Sequence, residues 1–269
     1  MNQFRKILVL VAVAVAALGA LAAPAAAAGT KKGVSAAAFS GVTTALSDVG
    51  ARWFYTWAVD PQGITAPAGT EFVPMIWGRD SVTADRLQQA KAAGRTLLAF
   101  NEPDLAGQAN MSVETALDLW PQLQATGLRL GAPAVAYGGD TPGGWLDRFM
   151  SGAAARGYRV DFIPLHWYGG DFSTAATGQL QSYLQAVYNR YHLPIWVTEY
   201  ALTDFSGPTP RYPSAAQQAD FVSRSTAMLD GLSFVERYAW FSLSTSTTPT
   251  GLYTGTTPNA SGAAYRAAG

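Results

Sequence analysis

Short apolar or β-branched runs recur along this sequence with helix-like stretches between them, and that alternation limits the folds open to it more than any other feature. The runs occupy residues 33–38, 52–57, 72–77, 96–100, 129–132, 160–167, 195–200 and 237–241. They are largely continuous rather than alternating, as strands buried on both faces of a parallel sheet must be. In the clearest intervening stretch, Leu180, Tyr183, Leu184, Val187, Tyr188 and Tyr191 fall at i, i+3, i+4, i+7, i+8 and i+11. That spacing puts one apolar stripe on a helix that packs against a sheet. Ser112 and Ser214 stand where N-cap hydroxyls belong. Gly94, Gly127 and Gly157 fall between a helical stretch and a strand, where a left-handed C-cap residue is expected.

The N-terminus has a different grammar. Arg5 and Lys6 precede an apolar stretch over residues 7–21, and small residues surround Pro24. This is the pattern of a secretory signal peptide cut after Ala26 or Ala28. A membrane anchor is the alternative reading, since residues 7–28 could span a bilayer if Pro24 were tolerated. The expectation is a signal peptide over residues 1–28, a secreted, extracellular protein, and one domain over residues 29–269. Those 241 residues give about 30 per strand–helix unit, the size of a (β/α)8 TIM barrel. A doubly wound sheet would instead call for a glycine-rich phosphate loop after the first strand, and Gly33-Val-Ser-Ala-Ala-Ala is not one. No later run approaches about 20 apolar residues, so the mature chain is not expected in a membrane. The Ser/Thr/Gly/Pro-rich residues 242–261 read as the loop after strand eight, leading to a last helical turn.

Charge narrows the partners. Removing Arg5 and Lys6 from the 18 basic residues leaves 16 against 18 acids, a net charge of −2. So nearly neutral a chain does not suit nucleic acid as its partner. Cysteine is absent, and an exported chain without disulfides must take its stability from a core.

Five glutamates are present, and their positions differ in kind. Glu71 and Glu236 come just before strands, on the barrel face that serves stability, and Glu114 sits in a helix's first turn, where an acid suits the dipole. Only Glu102 and Glu199 stand at the C-terminal ends of strands, where such barrels build active sites. Two carboxylates across a groove can share the work of glycosidic cleavage: one protonates the leaving oxygen and the other attacks or activates water. A metal site has little support, since His166 and His192 are the only histidines and no ligand spacing includes them. No cofactor is expected. Trp57, Trp77, Trp167 and Trp240 fall at or near strand C-termini, where indoles could stack on sugar rings, whereas Trp53, Trp120, Trp145 and Trp196 read as packing.

Phe100-Asn-Glu-Pro-Asp104, His166-Trp-Tyr168 and Trp196-Val-Thr-Glu-Tyr200 resemble glycoside hydrolase family 128, and Phe72-Val-Pro-Met-Ile-Trp-Gly78 with Trp53-Phe-Tyr-Thr-Trp57 extends the match. The resemblance implies a retaining β-1,3-glucanase of clan A on a (β/α)8 barrel, acting on β-glucan polysaccharide or oligosaccharide; a monomer is expected. It implies Glu102 as acid/base and Glu199 as nucleophile, and Asn101 hydrogen-bonded to the sugar 2-hydroxyl. His166 and Tyr168 would line the site near the nucleophile, and Trp240 would floor the −1 subsite. Thr56 departs from the pattern, which leads one to expect Asn in the strand-two block. Independently of the resemblance, the 97 residues from Glu102 to Glu199 equal about three units of 30, which places the pair on strands four and seven. A noncatalytic β-glucan-binding barrel, or a clan A hydrolase of another β-glycan, would use the same residues.

With no cysteine and no ligand cluster in the sequence, chelator or reductant should leave the thermal unfolding midpoint unchanged. A fall of several degrees on chelation would contradict this reading.

Overall fold

The computed structural model describes residues 31–269, so the expected signal peptide lies outside the described residues. Lys32–Ser35 (β1) pairs in parallel with Trp53–Tyr55 (β2), which pairs with Glu71–Phe72 (β3). On its other side β1 pairs with Val235–Trp240 (β9), and Ile195–Leu202 (β8) and Ile163–Gly169 (β7) follow. Met75–Ile76 (β4), Thr96–Asn101 (β5) and Arg129–Ala134 (β6) form a second parallel set.

Both gaps between the sets are bridged by hydrogen bonds. The third expected strand is cut into β3 and β4 around Pro74, which brings no N–H to the ladder. Its neighbours still hold it: Val73 N–H donates to Phe54 O (2.9 Å) and Leu98 N–H to Pro74 O (3.0 Å). Across the other gap Gly131 bridges Phe162, with Asp161 N–H on Leu130 O (2.8 Å) and Ala132 N–H on Phe162 O (2.9 Å). Eight parallel strands therefore close into a (β/α)8 barrel, and the doubly wound sheet, which keeps two free edges, is excluded.

Around the barrel run Val42–Asp48 (α1), Ala84–Ala93 (α2), Val113–Gln124 (α3), Trp145–Ala155 (α4), Ala176–Tyr191 (α5), Ala215–Gly231 (α6) and Ala260–Ala267 (α7). Among the described residues the second unit has no helix. Residues 56–70 cross instead as a loop, where Pro61, Gly63, Pro67 and Gly69 break any helical pattern. Ser112 caps α3 by accepting Thr115 N–H (3.1 Å), and Ser214 forms a capping box with Gln217 on α6. The expected stripe on α5 buries Leu180, Leu184 and Val187 fully and its tyrosines in part.

Two local expectations are corrected. Gly127 (φ 75°) and Gly157 (φ 66°) are left-handed, but Gly94 is extended (φ −160°). One residue separates Gly94 from β5, so the chain passes straight into the strand; a Cβ there would stand 2.7 Å from Pro74 Cδ, and close approach is what requires glycine. Residues 242–261 contain more than a loop. Tyr253–Thr254 (β10) and Thr257–Pro258 (β11) form an antiparallel hairpin, and Asn259 joins it to α7, its amide donating to Gly251 O (2.7 Å) and its carbonyl accepting Gly262 N–H (2.9 Å).

The core has two compartments. Trp53, Tyr55, Val73, Met75, Leu98, Phe162, Trp196 and Ala239 fill the barrel interior, while the larger cluster lies between strands and helices. At the N-terminal mouth Arg237 lies over Trp196 (4.4 Å) and bonds Glu71 (2.6 Å), and Arg129 lies over Phe162 (4.9 Å) and bonds Glu236 (2.7 Å). Glu71 and Glu236 thus serve stability, as their positions predicted. No helix among the described residues is long and apolar enough to cross a membrane.

Gly131 carries the seam between β6 and β7, and a Cβ there would lie 2.7 Å from both the Phe162 ring and Pro164 Cγ. Gly131→Ala should destabilise the barrel by about 1–3 kcal/mol through overpacking, read as a lowered midpoint in denaturant with an unchanged slope.

Candidate active site

A single extra residue sets the position of Glu199. Pairing between β7 and β8 runs Leu165 to Val197 and then His166 to Glu199; pairing between β8 and β9 runs Val197 to Tyr238 and then Tyr200 to Trp240. Both neighbours thus see one residue too many in β8 next to Thr198. Such a bulge re-aims the side chain that follows it, and here it sets Glu199 beside His166 at the C-terminal mouth.

Three donors converge on the carboxylate of Glu199, a residue 4% exposed. Tyr55 OH (3.0 Å) and Trp57 Nε1–H (2.8 Å) donate to Oε1, and Tyr168 OH donates to Oε2 (2.5 Å). Burial first, and then the Glu199 charge, push both phenols well above the ordinary tyrosine range, so they remain protonated donors. Two oxygens held by three donors leave this carboxylate little rotational freedom.

Glu102 follows β5 in a left-handed conformation (φ 45°), as Trp57 (φ 58°) does after β2. Such backbone in a residue other than glycine is uncommon, and it gathers at functional sites where the surroundings enforce it. The enforcement is visible: Glu102 N–H donates to Ala134 O (2.7 Å), and Asp104 Oδ1 accepts Ala136 N–H (2.9 Å), tying the turn to the end of β6. Glu102 Oε1 meets His166 Nδ1 at 2.7 Å, and Glu199 Oε2 lies 3.6 Å from the same nitrogen. Burial alone would pull the His166 imidazole down, but the Glu199 charge and the hydrogen bond to Glu102 offset it and hold the group above its ordinary value.

Glu102, His166 and Glu199 present one ligand atom each within 4.8 Å of one another. His166 Nδ1 is already engaged by Glu102, and both Glu199 oxygens by phenol and indole donors, so the arrangement suits proton exchange better than metal ligation.

A cavity of about 970 Å³ opens above these groups. Trp57, Trp77, Asn101, Glu102, His166, Trp167, Tyr168 and Glu199 all line it, so eight of the nine expected site residues are brought together. Trp240 is not among them. It is fully buried, donates from Nε1 to Thr250 O (2.8 Å), and packs on Tyr200 and Phe221. Strand parity explains this: Ala239 points into the barrel and Trp240 out toward α6 and α7, so the next residue, Phe241, faces the cavity. Thr56 also turns away, donating to Asp60 O (2.7 Å), so the residue that departs from the expected pattern holds the loop rather than lining the groove. Asn101 donates to Gln108 Oε1 (3.4 Å), and its buried Oδ1 has no partner among the described residues. Tyr55 escaped the sequence reading, although the period-two series Trp53, Tyr55, Trp57 marks it as pointing inward.

Residues 35–265 match the family model described as glycosyl hydrolase catalytic core. An endo-β-1,3-glucanase of glycoside hydrolase family 128, subgroup I, from Amycolatopsis mediterranei, solved with laminaritriose, is 94% identical; the match covers 89% of this chain and 100% of that one, with a TM-score of 0.89. The chain belongs to glycoside hydrolase family 128. A subgroup II endo-β-1,3-glucanase of the family from Sorangium cellulosum is 29% identical over 89% of this chain and 98% of its own, with a TM-score of 0.75. Alkali-sensitive linkage protein 1 of Schizosaccharomyces pombe is 33% identical over 204 residues, 73% of this chain; the chain spans about a third (35%) of that protein's length. This glycosyl hydrolase therefore carries its family's motifs on the strand ends that form the cavity.

The two tryptophan environments separate experimentally. Trp77→Ala should weaken laminari-oligosaccharide binding by about 1–3 kcal/mol with the fold retained, as for a stacked ring lost from a groove. Trp240→Ala should instead lower stability by about 3–5 kcal/mol, measured as affinity and thermal midpoint on the same variants.

Proposed function

We propose that this family 128 hydrolase is an exported endo-β-1,3-glucanase that cleaves with retention of anomeric configuration. The observation that carries retention is the approach of the two carboxylates, whose nearest oxygens lie within 4.8 Å. Retaining glycosidases hold their acids about 5–5.5 Å apart, and roughly 6.5–9.5 Å is needed to admit the water of an inverting enzyme. Glu199, fixed by its three donors, attacks the anomeric carbon as Glu102 protonates the departing oxygen. Glu102 then takes a proton from water, which displaces Glu199 from the sugar. Two inversions give net retention.

The groove's chemistry supports a neutral glucan. Trp57, Trp77, Tyr137, Phe205 and Phe241 offer aromatic faces, and no lysine or arginine lines the cavity among the described residues, whereas Glu102, Asp140 and Glu199 do. A glycan bearing carboxylates would meet like charge with no lysine or arginine to offset it among the described residues. The Amycolatopsis mediterranei enzyme was solved with laminaritriose, and its E199Q variant with laminarihexaose. Its substituted positions carry the numbers that Glu102 and Glu199 carry here. Export rests on residues 1–28, with their charged start, apolar core and alanine-rich end, and the mature chain is taken to act as a monomer.

The mechanism is tested with an activated aryl β-glucoside and azide. Glu102→Ala should still glycosylate, and azide should capture its intermediate as the β-azide; Glu199→Ala should form no intermediate and yield the α-azide. Exchanged anomers would swap the roles, and an initial α-product from the unaltered enzyme on laminarin would end the retaining assignment. Binding of laminarin without new reducing ends would mark the chain as a glucan-binding barrel. Carboxymethylated curdlan should be cleaved less readily than laminarin in proportion to its substitution.

A further inference from the structure

We propose that His166 is a positioning residue that holds, at Nδ1, the proton Glu102 delivers to the leaving oxygen and later takes back from water. The proposal rests on the two-glutamate reading above and gives the acid a partner.

Among the described residues Glu102 has one side-chain hydrogen-bond partner, His166, at 2.7 Å. Glu199, by contrast, is occupied by Tyr55, Trp57 and Tyr168, and its 3.6 Å distance from Nδ1 is too long for a strong hydrogen bond. The His166 ring is fully enclosed, and its Nε2 has no partner among the described residues, so exchange through Nδ1 is the route the contacts provide. Among the described residues the ionisable groups acting on the ring are carboxylic acids, Glu102 and Asp104 from the end of β5 and Glu199 from β8. The phenols of Tyr55 on β2 and of Tyr168, two residues along the same strand as His166, both bond Glu199. A buried imidazole facing three carboxylates, with no lysine or arginine on the cavity wall, favours the protonated ring despite the desolvation cost.

The charge of Glu199 couples this proton to the reaction. In the resting enzyme Glu199 is ionised, and the Glu102–His166 pair carries one proton. As the Glu199–C1 bond forms, the C1–O bond breaks with its electrons on the leaving oxygen. The pair's one transferable proton passes from Nδ1 to Glu102 and on to that oxygen, leaving Glu102 a carboxylate and His166 neutral. Glu199 is now an uncharged ester, so the interaction that favoured imidazolium is gone and Glu102 is free to act as base. When water attacks C1, the C1–O bond to Glu199 breaks, its charge returns, and the water's proton goes to Glu102 and is shared again with Nδ1.

The test compares pH profiles of kcat/KM on laminaripentaose for the unaltered enzyme and His166→Asn. The alkaline limb of the variant should move down by about one pH unit or more, because Glu102 must then keep its proton unaided; on an aryl glucoside whose leaving group needs no proton, the glycosylation rate should change far less. An unmoved alkaline limb with a uniformly lower kcat would overturn the proposal. Should H166N fail to fold, the unaltered protein decides by NMR. It has two histidines, and His192→Asn assigns the signals. His166 should carry protons on both nitrogens at neutral pH, titrating above the ordinary value of about 6.5, and should lose this in E199Q. A neutral His166 throughout pH 5–8 would overturn the proposal by the same rule. Inversion by the unaltered enzyme, or full laminarin hydrolysis by E102A, would instead remove the two-glutamate reading whatever His166 titrates at, so the two failures are distinct.

Discussion

One surplus residue in β8 decides which side chains meet at the mouth of this barrel. A strand alternates its side chains between two faces, and inserting a residue exchanges the faces of everything beyond it. Before the bulge Val197 lies in the layer between strands and helices. After it Glu199 is opposite His166, and Tyr200 returns to the outer layer against Phe221 and Trp240. Without the surplus residue the carboxylate would lose its register with His166, and with it the contacts to Tyr55, Trp57 and Tyr168 that restrain both its oxygens.

Burying two carboxylates and an imidazole within a few ångströms is costly unless each finds partners. The partners come from four separate strand ends: Tyr55 and Trp57 from β2, Glu102 from β5, His166 and Tyr168 from β7, and Glu199 from β8. Barrel closure is therefore a condition of the chemistry, since no two adjacent strands could assemble the set alone. The seams at Pro74 and Gly131 matter for the same reason: each holds the ring shut where the strand ladder is interrupted.

The strands were legible in the sequence because burial on both faces of a parallel sheet leaves continuous apolar runs, and Glu102 and Glu199 were legible because acids at such strand ends stand out against apolar surroundings. What escaped depended on parity and on local packing. Trp240 and Phe241 are adjacent and both aromatic, and only the direction of β9 shows which faces the groove. Tyr55 sits inside an unbroken aromatic block, so its phenol gave no separate signal. Gly94 stands where a C-cap glycine would, but the nearness of Pro74, which selects it, is a tertiary contact. The hairpin at Tyr253–Pro258 is held partly through side-chain amides and hydroxyls, so its polar composition resembled a loop's.

The two mouths of the barrel divide stability from function by the kind of interaction each uses. At the N-terminal mouth the charges are paired and stacked: Arg129 and Arg237 lie over aromatic rings and meet Glu236 and Glu71. That end can be rigid, because no group there has to change its charge. At the C-terminal mouth the acids face one another across His166, and Trp57 and Glu102 sit in left-handed backbone costing about 1–3 kcal/mol each. A carboxylate paired with a guanidinium would resist protonation, which would disable a residue meant to give and take a proton. The absence of lysine and arginine from the cavity wall among the described residues is thus a condition of reactivity as much as of substrate choice. The fold can tolerate such a mouth because the opposite end, the interior stack of Trp53, Phe162 and Trp196 and the outer helices hold the strands in place without it.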